Sequence, residues 1–366
     1  MNDLFSTHFL NGLYQSLVAP GSFLLDRYFQ MSQMAEAEEI HFDITDKTRR
    51  LAPFVSPKVA GRIVQEKGYR TYTFKPAYIK LRTRIDPSAK ITRAAGEQIG
   101  GGATPITSKM DDAQIEEIQK KNALRRIMFR VNSALEDHQD QITRRMEWMA
   151  AKALVDGALT LQGELYQTSH VDFGRNPAHR ITLPSWRNWS NPGINWLRDL
   201  EDWSLQILKE TGATARDVVL SPDVWAALKD HPTTDSHFAR VQSPSPNTLQ
   251  TGGPVGEGGA FMGEIDGFKI FVYTGWSADE NGIETPLLPP GTCLLLSDGI
   301  AGVKAFGAIL DMDALGNSAT AIRPVAIPTF TKSWADSDPS LRWIMTQCAP
   351  LVFPGRVNAM VSATVL

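Results

Sequence analysis

The sequence predicts an α+β fold, and three observations carry that reading. Apolar residues recur at three- and four-residue spacing from Asp111 to Asp156, the pattern of one long amphipathic helix. A β-hairpin pattern, a lobe of short buried strands with helices, and a terminal strand follow it. Before it, Lys58 to Arg93 is strand-like and cationic, with ten Lys/Arg against two acids. That stretch is +8 in a protein of net charge −3, so the remaining residues sum to −11.

The bulk numbers fit about two domains with ample core: 366 residues, 42% hydrophobic and 21% charged. No apolar run approaches the roughly 18 residues of a membrane span. Met1-Asn2-Asp3-Leu4-Phe5 lacks the basic and apolar regions of a secretory signal, so no membrane partner is expected. The two cysteines, Cys293 and Cys348, are far apart in apolar surroundings. Buried free thiols in a reducing compartment are expected, with a disulfide between them as the alternative.

Residues 1–50 carry −3 and open with helical spacing at Phe5, Phe9, Leu10, Leu13 and Tyr14, broken by Pro20-Gly21. They read as an extended or partly helical arm rather than a domain. In 51–93, Val59, Ile63 and Val64 mark one strand, Glu66-Lys67-Gly68 a turn, and Tyr69 to Phe74 a second strand. Pro76 argues for a free hairpin or an edge over a central strand. Tyr78 to Ile85 alternates strictly, with Ile79, Leu81, Thr83 and Ile85 on one face and Lys80, Arg82 and Arg84 on the other. Residues 94–108 form a Gly-rich connector.

For the long helix, Ser108 is a candidate N-cap and Gly157 sits where a C-cap glycine belongs. About 46 residues would make a rod of roughly 70 Å, and Lys120-Lys121-Asn122 is where it would break. Leu159 to Phe173 reads as a hairpin, and Arg175 to Pro192 as a Trp-, Pro- and Asn-rich loop. Ile194 to Glu210 is an amphipathic helix, Val218 to Leu220 a short strand, and Pro222 starts a helix capped by Ser221. Ser243 to Gly259 is a low-complexity loop. Phe268 to Tyr273, Cys293 to Leu296 and Val303 to Phe306 are buried strands. Residues 194–366 sum to −8, and the chain ends in an alternating strand through Val357, Ala359, Val361, Ala363 and Val365.

Catalytic and metal chemistry finds no support. Gly252 to Gly259 lacks the Gly-Lys-Ser/Thr ending of a phosphate loop. The seven histidines show no metal-ligand spacing, and Asp235 between His231 and His237 reads as a polar loop. Asp311-Met312-Asp313 has no third ligand or partner base. No nucleophile motif surrounds either cysteine. The expectation is a protein that is not an enzyme and has no cofactor or metal.

The cationic stretch has two uses. It could bind nucleic acid, with Tyr69, Tyr72, Phe74 and Tyr78 as stacking platforms. It could instead pair with the acidic surface of another copy. A sequence pI near 6.2 and the −11 elsewhere in the chain favour the self-partner. The nucleic-acid reading, through a basic hairpin 58–93, is the alternative.

Four segments in this order carry a resemblance: Val55-Ser56-Pro57-Lys58-Val59-Ala60-Gly61, Phe74-Lys75-Pro76-Ala77-Tyr78-Ile79-Lys80, Val171-Asp172-Phe173-Gly174-Arg175 and Met345-Thr346-Gln347-Cys348-Ala349-Pro350-Leu351. With the order of parts between them, they resemble the lambda-like major capsid proteins of tailed bacteriophages, which have the Hong Kong 97-type fold. That resemblance implies an N-arm over 1–50, an extended loop over 51–94, and a peripheral domain over 95–193 with a spine helix at 110–157. It implies an axial domain over 194–324 and a return to the peripheral domain over 325–366, ending in its strand. The function implied is self-assembly into an icosahedral shell around packaged double-stranded DNA, without sequence-specific binding.

Hexamers and pentamers of the chain, a separate scaffolding protein, a portal and a small decoration protein are the implied partners. Assembly in the bacterial host cytoplasm and residence in the virion follow, with no removed propeptide expected. The intersubunit contact residues expected are Lys58, Arg62, Lys67, Arg70, Tyr72, Phe74, Lys75, Tyr78, Lys80, Arg82 and Arg84. A Lys–Asn crosslink, known in some relatives, could draw on Lys67, Lys75 or Lys80 with Asn358, but no Glu follows Asn358, and none is expected.

Overall fold

The long helix forms as its periodicity predicts. In a computed structural model, residues 5–35, 39–45, 69–74, 76–85, 112–163, 166–234, 254–278, 282–311, 327–337 and 340–366 are described. In chain order come α1 (Thr7–Ser16), α2 (Phe23–Tyr28), β1 (Met31–Met34), β2 (Ile40–Thr45), β3 (Tyr69–Phe74), β4 (Ile79–Ile85) and α3 (Asp112–Asp156). Strands β5 (Ala158–Gly163), β6 (Tyr166–Asp172) and β7 (Arg180–Thr182) lead to α4 (Trp196–Thr211), β8 (Ala215–Leu220) and α5 (Pro222–Lys229). Then follow β9 (Gly259–Ile265), β10 (Phe268–Tyr273), β11 (Trp276–Ala278), β12 (Glu284–Pro286), β13 (Thr292–Ser297) and β14 (Gly302–Phe306). The last strands are β15 (Thr329–Ser337), β16 (Ser340–Cys348), β17 (Pro350–Pro354) and β18 (Met360–Thr364).

Helix α3 is continuous over 45 residues, with no break at Lys120-Lys121-Asn122. Its end is built by Gly157 and Arg175. Gly157 takes φ +69°, and its N–H bonds to Ala153 O at 3.2 Å. The Arg175 guanidinium then donates to the carbonyls of Ala153, Leu154 and Val155 at 2.9, 2.7 and 3.0 Å. The Leu154 and Val155 carbonyls are among those that a helix end otherwise leaves without partners, while Ala153 O also takes the Gly157 N–H. Arg175 packs so close that a Cβ on Gly157 would lie 2.8 Å from its Nε.

The chain divides into two compact units. The first comprises residues 1–20, 78–143 and 308–349. It contains an antiparallel sheet in the order β15-β16-β4. Ile85 and Ile344 of that sheet form one core cluster with Leu10 and Tyr14 of α1 and Val131 and Leu135 of α3. Ser6 starts α1 by accepting the Phe9 N–H, and Asn11 clips the helix to β15 by bonding both Thr331 N–H and Thr331 O. Buried His138 of α3 bridges Thr83 and Thr346 at 2.8 and 3.0 Å, tying the helix to β4 and β16.

The second unit comprises 21–77, 144–307 and 350–366. Its largest sheet has six strands in the order β7-β18-β13-β8-β10-β9. A three-stranded sheet β1-β14-β17 and the hairpin β5–β6 belong to it, with the two-stranded ribbons β2–β3 and β11–β12. The Trp-rich loop is not loose. Trp189 stacks on Trp203 of α4 at 5.7 Å and donates to Asp199, which Arg187 also reaches.

The opening segment carries α1 and α2, with Phe23, Leu24, Leu25 and Tyr28 of α2 buried. Three sequence expectations are corrected here. Strand 69–74 pairs with β2, not with the run at 59–64 that the sequence set beside it and that lies outside the described residues, and β4 pairs with β16. The terminal strand β18 lies between β7 and β13 in the second unit, so Met360 and Ser362 are buried along with Val361 and Ala363. The strand is also shorter than the alternation 357–365, because Val357–Ala359 form a 3-10 turn. Ser221 sits at the α5 N-cap, but its hydroxyl accepts Thr292 N–H from β13 instead of a helix N–H.

Candidate intersubunit surface

The cationic strand β4 alternates in burial as the sequence predicts. Ile79, Leu81 and Thr83 are half-buried and Ile85 is buried, while Lys80, Arg82 and Arg84 are exposed. The inner residues lie opposite Thr346 and Ile344 of β16. The cations lie opposite Gln347, Met345 and Trp343. The Arg82 guanidinium sits 4.5 Å over the Trp343 ring, and the Lys80 ammonium 5.5 Å from the Tyr78 ring. These contacts stiffen the long side chains without neutralising them. Among the described residues no carboxylate pairs with Lys80, Arg82 or Arg84. Among the described residues β4 is also an edge strand, since the sheet order ends on it.

Tyr78 anchors the strand's start, its hydroxyl donating to Ala308 O at 2.6 Å and accepting Leu310 N–H at 3.2 Å. Asp311 beside it bonds Lys332 at 2.7 Å and Gln347 at 2.5 Å. That carboxylate is a structural clamp between β15 and β16. Asp313, Asp235 and His237 lie outside the described residues.

The ribbon β2–β3 lies in the second unit. Ile40 pairs with Phe74, Phe42 with Tyr72 and Ile44 with Arg70. Directly opposed residues in an antiparallel pair share a face. The ladder runs on through Thr45 opposite Tyr69. Ile40 and Phe74 at the ribbon's base are buried.

Of the predicted contact residues, the structure thus places Lys80, Arg82 and Arg84 on one face of β4, with Tyr78 at its start. Arg70, Tyr72 and Phe74 lie in the ribbon. Lys58, Arg62, Lys67 and Lys75 lie outside the described residues. Sequence reasoning missed β2 as the partner of Tyr69 to Phe74. The signal was available in the alternation Ile40-His41-Phe42-Asp43-Ile44. Asn358, one end of the crosslink considered above, accepts Asn176 N–H through its Oδ1 at 2.9 Å.

The buried ionisable groups hold structure together. Glu147 of α3 accepts the N–H groups of Leu24 and Leu25 and the Tyr273 hydroxyl, each at 2.8 Å. Burial raises its pKa above the ordinary value, against the pull of those three bonds. Cys293 and Cys348 are free, buried thiols, and burial pushes both far up in pKa. A cleft of about 590 Å³ is lined by Trp148, Lys152, Asp156, His170, Arg175 and Arg180. Its Asp156 pairs with Lys152 and Arg180 at 3.7 and 3.4 Å, so its charges compensate one another. Among the described residues no cluster of three His, Cys, Asp or Glu could hold a metal ion, and no helix is long and apolar enough to cross a membrane.

The family model for phage major capsid protein E matches residues 10–365. The chain belongs to that family. The major capsid protein of Enterobacteria phage P21 is 26% identical over 351 residues, covering 95% of each chain. That of Escherichia phage lambda is 24% identical over 338 residues, covering 92% of this chain and 91% of its own. A solved structure, the putative capsid protein of a prophage of E. coli CFT073, superposes with a TM-score of 0.68 at 22% identity over 99% of both chains.

The fold is the Hong Kong 97-type capsid fold. As a member of the phage major capsid protein E family, the chain is a structural subunit of the virion capsid, forming the head shell of a tailed phage. The rival reading, a nucleic-acid-binding protein using 58–93, gains nothing from these matches, which span nearly the whole chain as a shell subunit.

Proposed function

We propose that this capsid subunit builds its shell through the cationic face of β4 and the ribbon β2–β3, each set against a neighbouring copy. One observation carries the reading. Three exposed cations stand in a row on β4 with no carboxylate partner among the described residues, on a chain that is otherwise acidic. Acids of an adjoining copy are their natural recipients, and such pairing sets register and suppresses wrong contacts. The ribbon supports the same reading. Two strands alone are marginal in water and gain stability from a further surface.

In this reading 1–50 is the N-arm, 51–94 the extended loop, 95–193 the peripheral domain with α3 as its spine helix, 194–324 the axial domain and 325–366 the return to the peripheral domain. Arg70, Tyr72, Phe74, Tyr78, Lys80, Arg82 and Arg84 are contact residues, with Lys58, Arg62, Lys67 and Lys75 from the adjoining stretch. Hexamers and pentamers of the chain assemble in the host cytoplasm around a separate scaffolding protein, with a portal and a small decoration protein, and enclose double-stranded DNA without reading its sequence. The test is Lys80→Glu with Arg82→Glu. The subunit should keep its circular dichroism and melting temperature, while shells seen by negative-stain microscopy disappear or fall in number at least tenfold. Unchanged shell yield would refute the assignment. Loss of salt-dependent DNA affinity with unchanged shells would favour the nucleic-acid reading instead.

A further inference from the structure

The cleft at the end of helix α3 has walls laid out by two periodicities. Trp148, Lys152 and Asp156 are spaced i, i+4, i+8, one stripe along the last turns of the helix. The hairpin β5–β6 supplies a second wall. Asp172 lies opposite Ala158 and His170 opposite Thr160, so these four share one face of the hairpin. Arg175 and Arg180 complete the lining that matters for charge. Among these side chains three are cations, Lys152, Arg175 and Arg180, and two are carboxylates, Asp156 and Asp172. Asp156 is shared between Lys152 at 3.7 Å and Arg180 at 3.4 Å, both at the long end of ion-pair range. Asp172 accepts Gly174 N–H at 2.8 Å. Arg175 gives its hydrogens to neutral carbonyls, and among the described residues no carboxylate pairs with it. Burial lowers its pKa to about 10, with Asp156 pulling upward and Arg180 pushing down. Three cations against two carboxylates leave the cleft one positive charge in excess, on a chain of net charge −3.

We propose that this cleft binds a small organic carboxylate, held by Arg180 and Lys152 with its carbon frame against Trp148. A single negative charge balances the excess. A planar carboxylate also matches the fork of an arginine, which a lone spherical anion does not. The Arg180 side chain is 64% exposed and so is free to turn toward a ligand. Trp148 supplies the apolar wall, and the Arg145 guanidinium, 5.4 Å from its ring, adds positive field at the rim. The volume of about 590 Å³ is that of a site for a small molecule or a few residues of peptide. A nucleic-acid strand suits the cleft poorly, because phosphates flanking the bound one would meet Asp156 and Asp172. Two sources carry the same group: a free organic acid, and the C-terminal carboxylate of a peptide. Binding here is independent of the shell contacts proposed above, since none of the lining residues is among them.

Calorimetric titration of the unassembled full-length subunit with N-acetylphenylalanine and with its C-terminal amide tests this. The acid should bind at least tenfold more tightly than the amide, the difference made by one charge-assisted pair. Arg180→Gln should weaken the acid about tenfold and leave the amide unchanged. Asp156→Asn removes the resident competitor for both cations and should tighten the acid about threefold, the size of an exposed ion pair. An N-acetylated tripeptide ending in the same phenylalanine separates the sources. Tighter binding than the single residue assigns the carboxylate to a peptide, and no gain assigns it to a free acid. Equal affinity for acid and amide overturns the proposal. So does an absence of binding by the acid at millimolar concentration, or an Arg180→Gln variant that binds it unchanged. Inorganic phosphate that displaces the acid at equal concentration marks a site for any anion and overturns it too. If Arg180→Gln unfolds, as read by circular dichroism, the acid and amide on wild type and on Asp156→Asn still decide.

Discussion

Removing the Glu147 carboxylate should loosen α2 from α3 by an amount the structure allows to be worked out. Glu147 receives three hydrogen bonds at 2.8 Å, from Leu24 N–H, Leu25 N–H and Tyr273 O–H. Glu147→Ala orphans all three donors in a buried site. Each orphaned donor costs about 1–3 kcal/mol. Set against this is relief of burying a carboxylate, which is large enough to hold its pKa above normal. The net loss is therefore at the low end, about 3 kcal/mol, or ~6–12 °C in melting temperature for a unit of this size.

The raised pKa adds a signature. The folded state holds this proton more tightly than the unfolded chain, so wild type gains stability as pH falls through the raised value toward the ordinary 4.5. Glu147→Gln cannot titrate and lacks that gain, so the gap between wild type and Gln should widen from pH 7 to pH 5. Thermal melts of the unassembled subunit at both pH values measure it. An Ala variant melting within ~1 °C of wild type, or a gap that narrows toward pH 5, would refute the reasoning.

Two further outcomes follow from the cores. His138 is buried between Thr83 and Thr346 with its pKa lowered, chiefly by burial, so its folded pKa lies below the unfolded value of 6.5. Its stabilisation is complete above that value and is lost as pH falls below it. His138→Ala should therefore cost about 2 kcal/mol at pH 8 and less at pH 5, read from urea midpoints. Arg175 is held at a pKa of about 10 by burial while it donates to three helix carbonyls. Lysine cannot span that fork, so Arg175→Lys should cost about 2 kcal/mol, again read as a lower urea midpoint.

The motif Val171-Asp172-Phe173-Gly174-Arg175 gains a physical meaning from this last site. In sequence it was one of four landmarks. In three dimensions its arginine closes the end of the 45-residue helix, 20 residues back along the chain, with Gly157 kept bare to admit it. No local pattern announces such a cap, since it joins a helix end to a loop across a hairpin.

By itself the sequence determined what depends on near neighbours along the chain. Helix α3, the two faces of β4, the hairpin after Gly157 and the proline start of α5 all follow from periodicity, glycine and proline. The charge anomaly of 58–93 was likewise legible, because composition needs no coordinates. Tertiary structure alone decided which strand each run joins. Tyr69 to Phe74 met 40–45, and Met360 to Thr364 settled between two strands of the second unit. It also turned Glu147 from a helix-surface charge into the acceptor for Leu24, Leu25 and Tyr273. Strand pairing and buried polar contacts are chosen by main-chain and side-chain groups far apart in sequence. Many partners satisfy the same alternation, and only the packed whole selects among them.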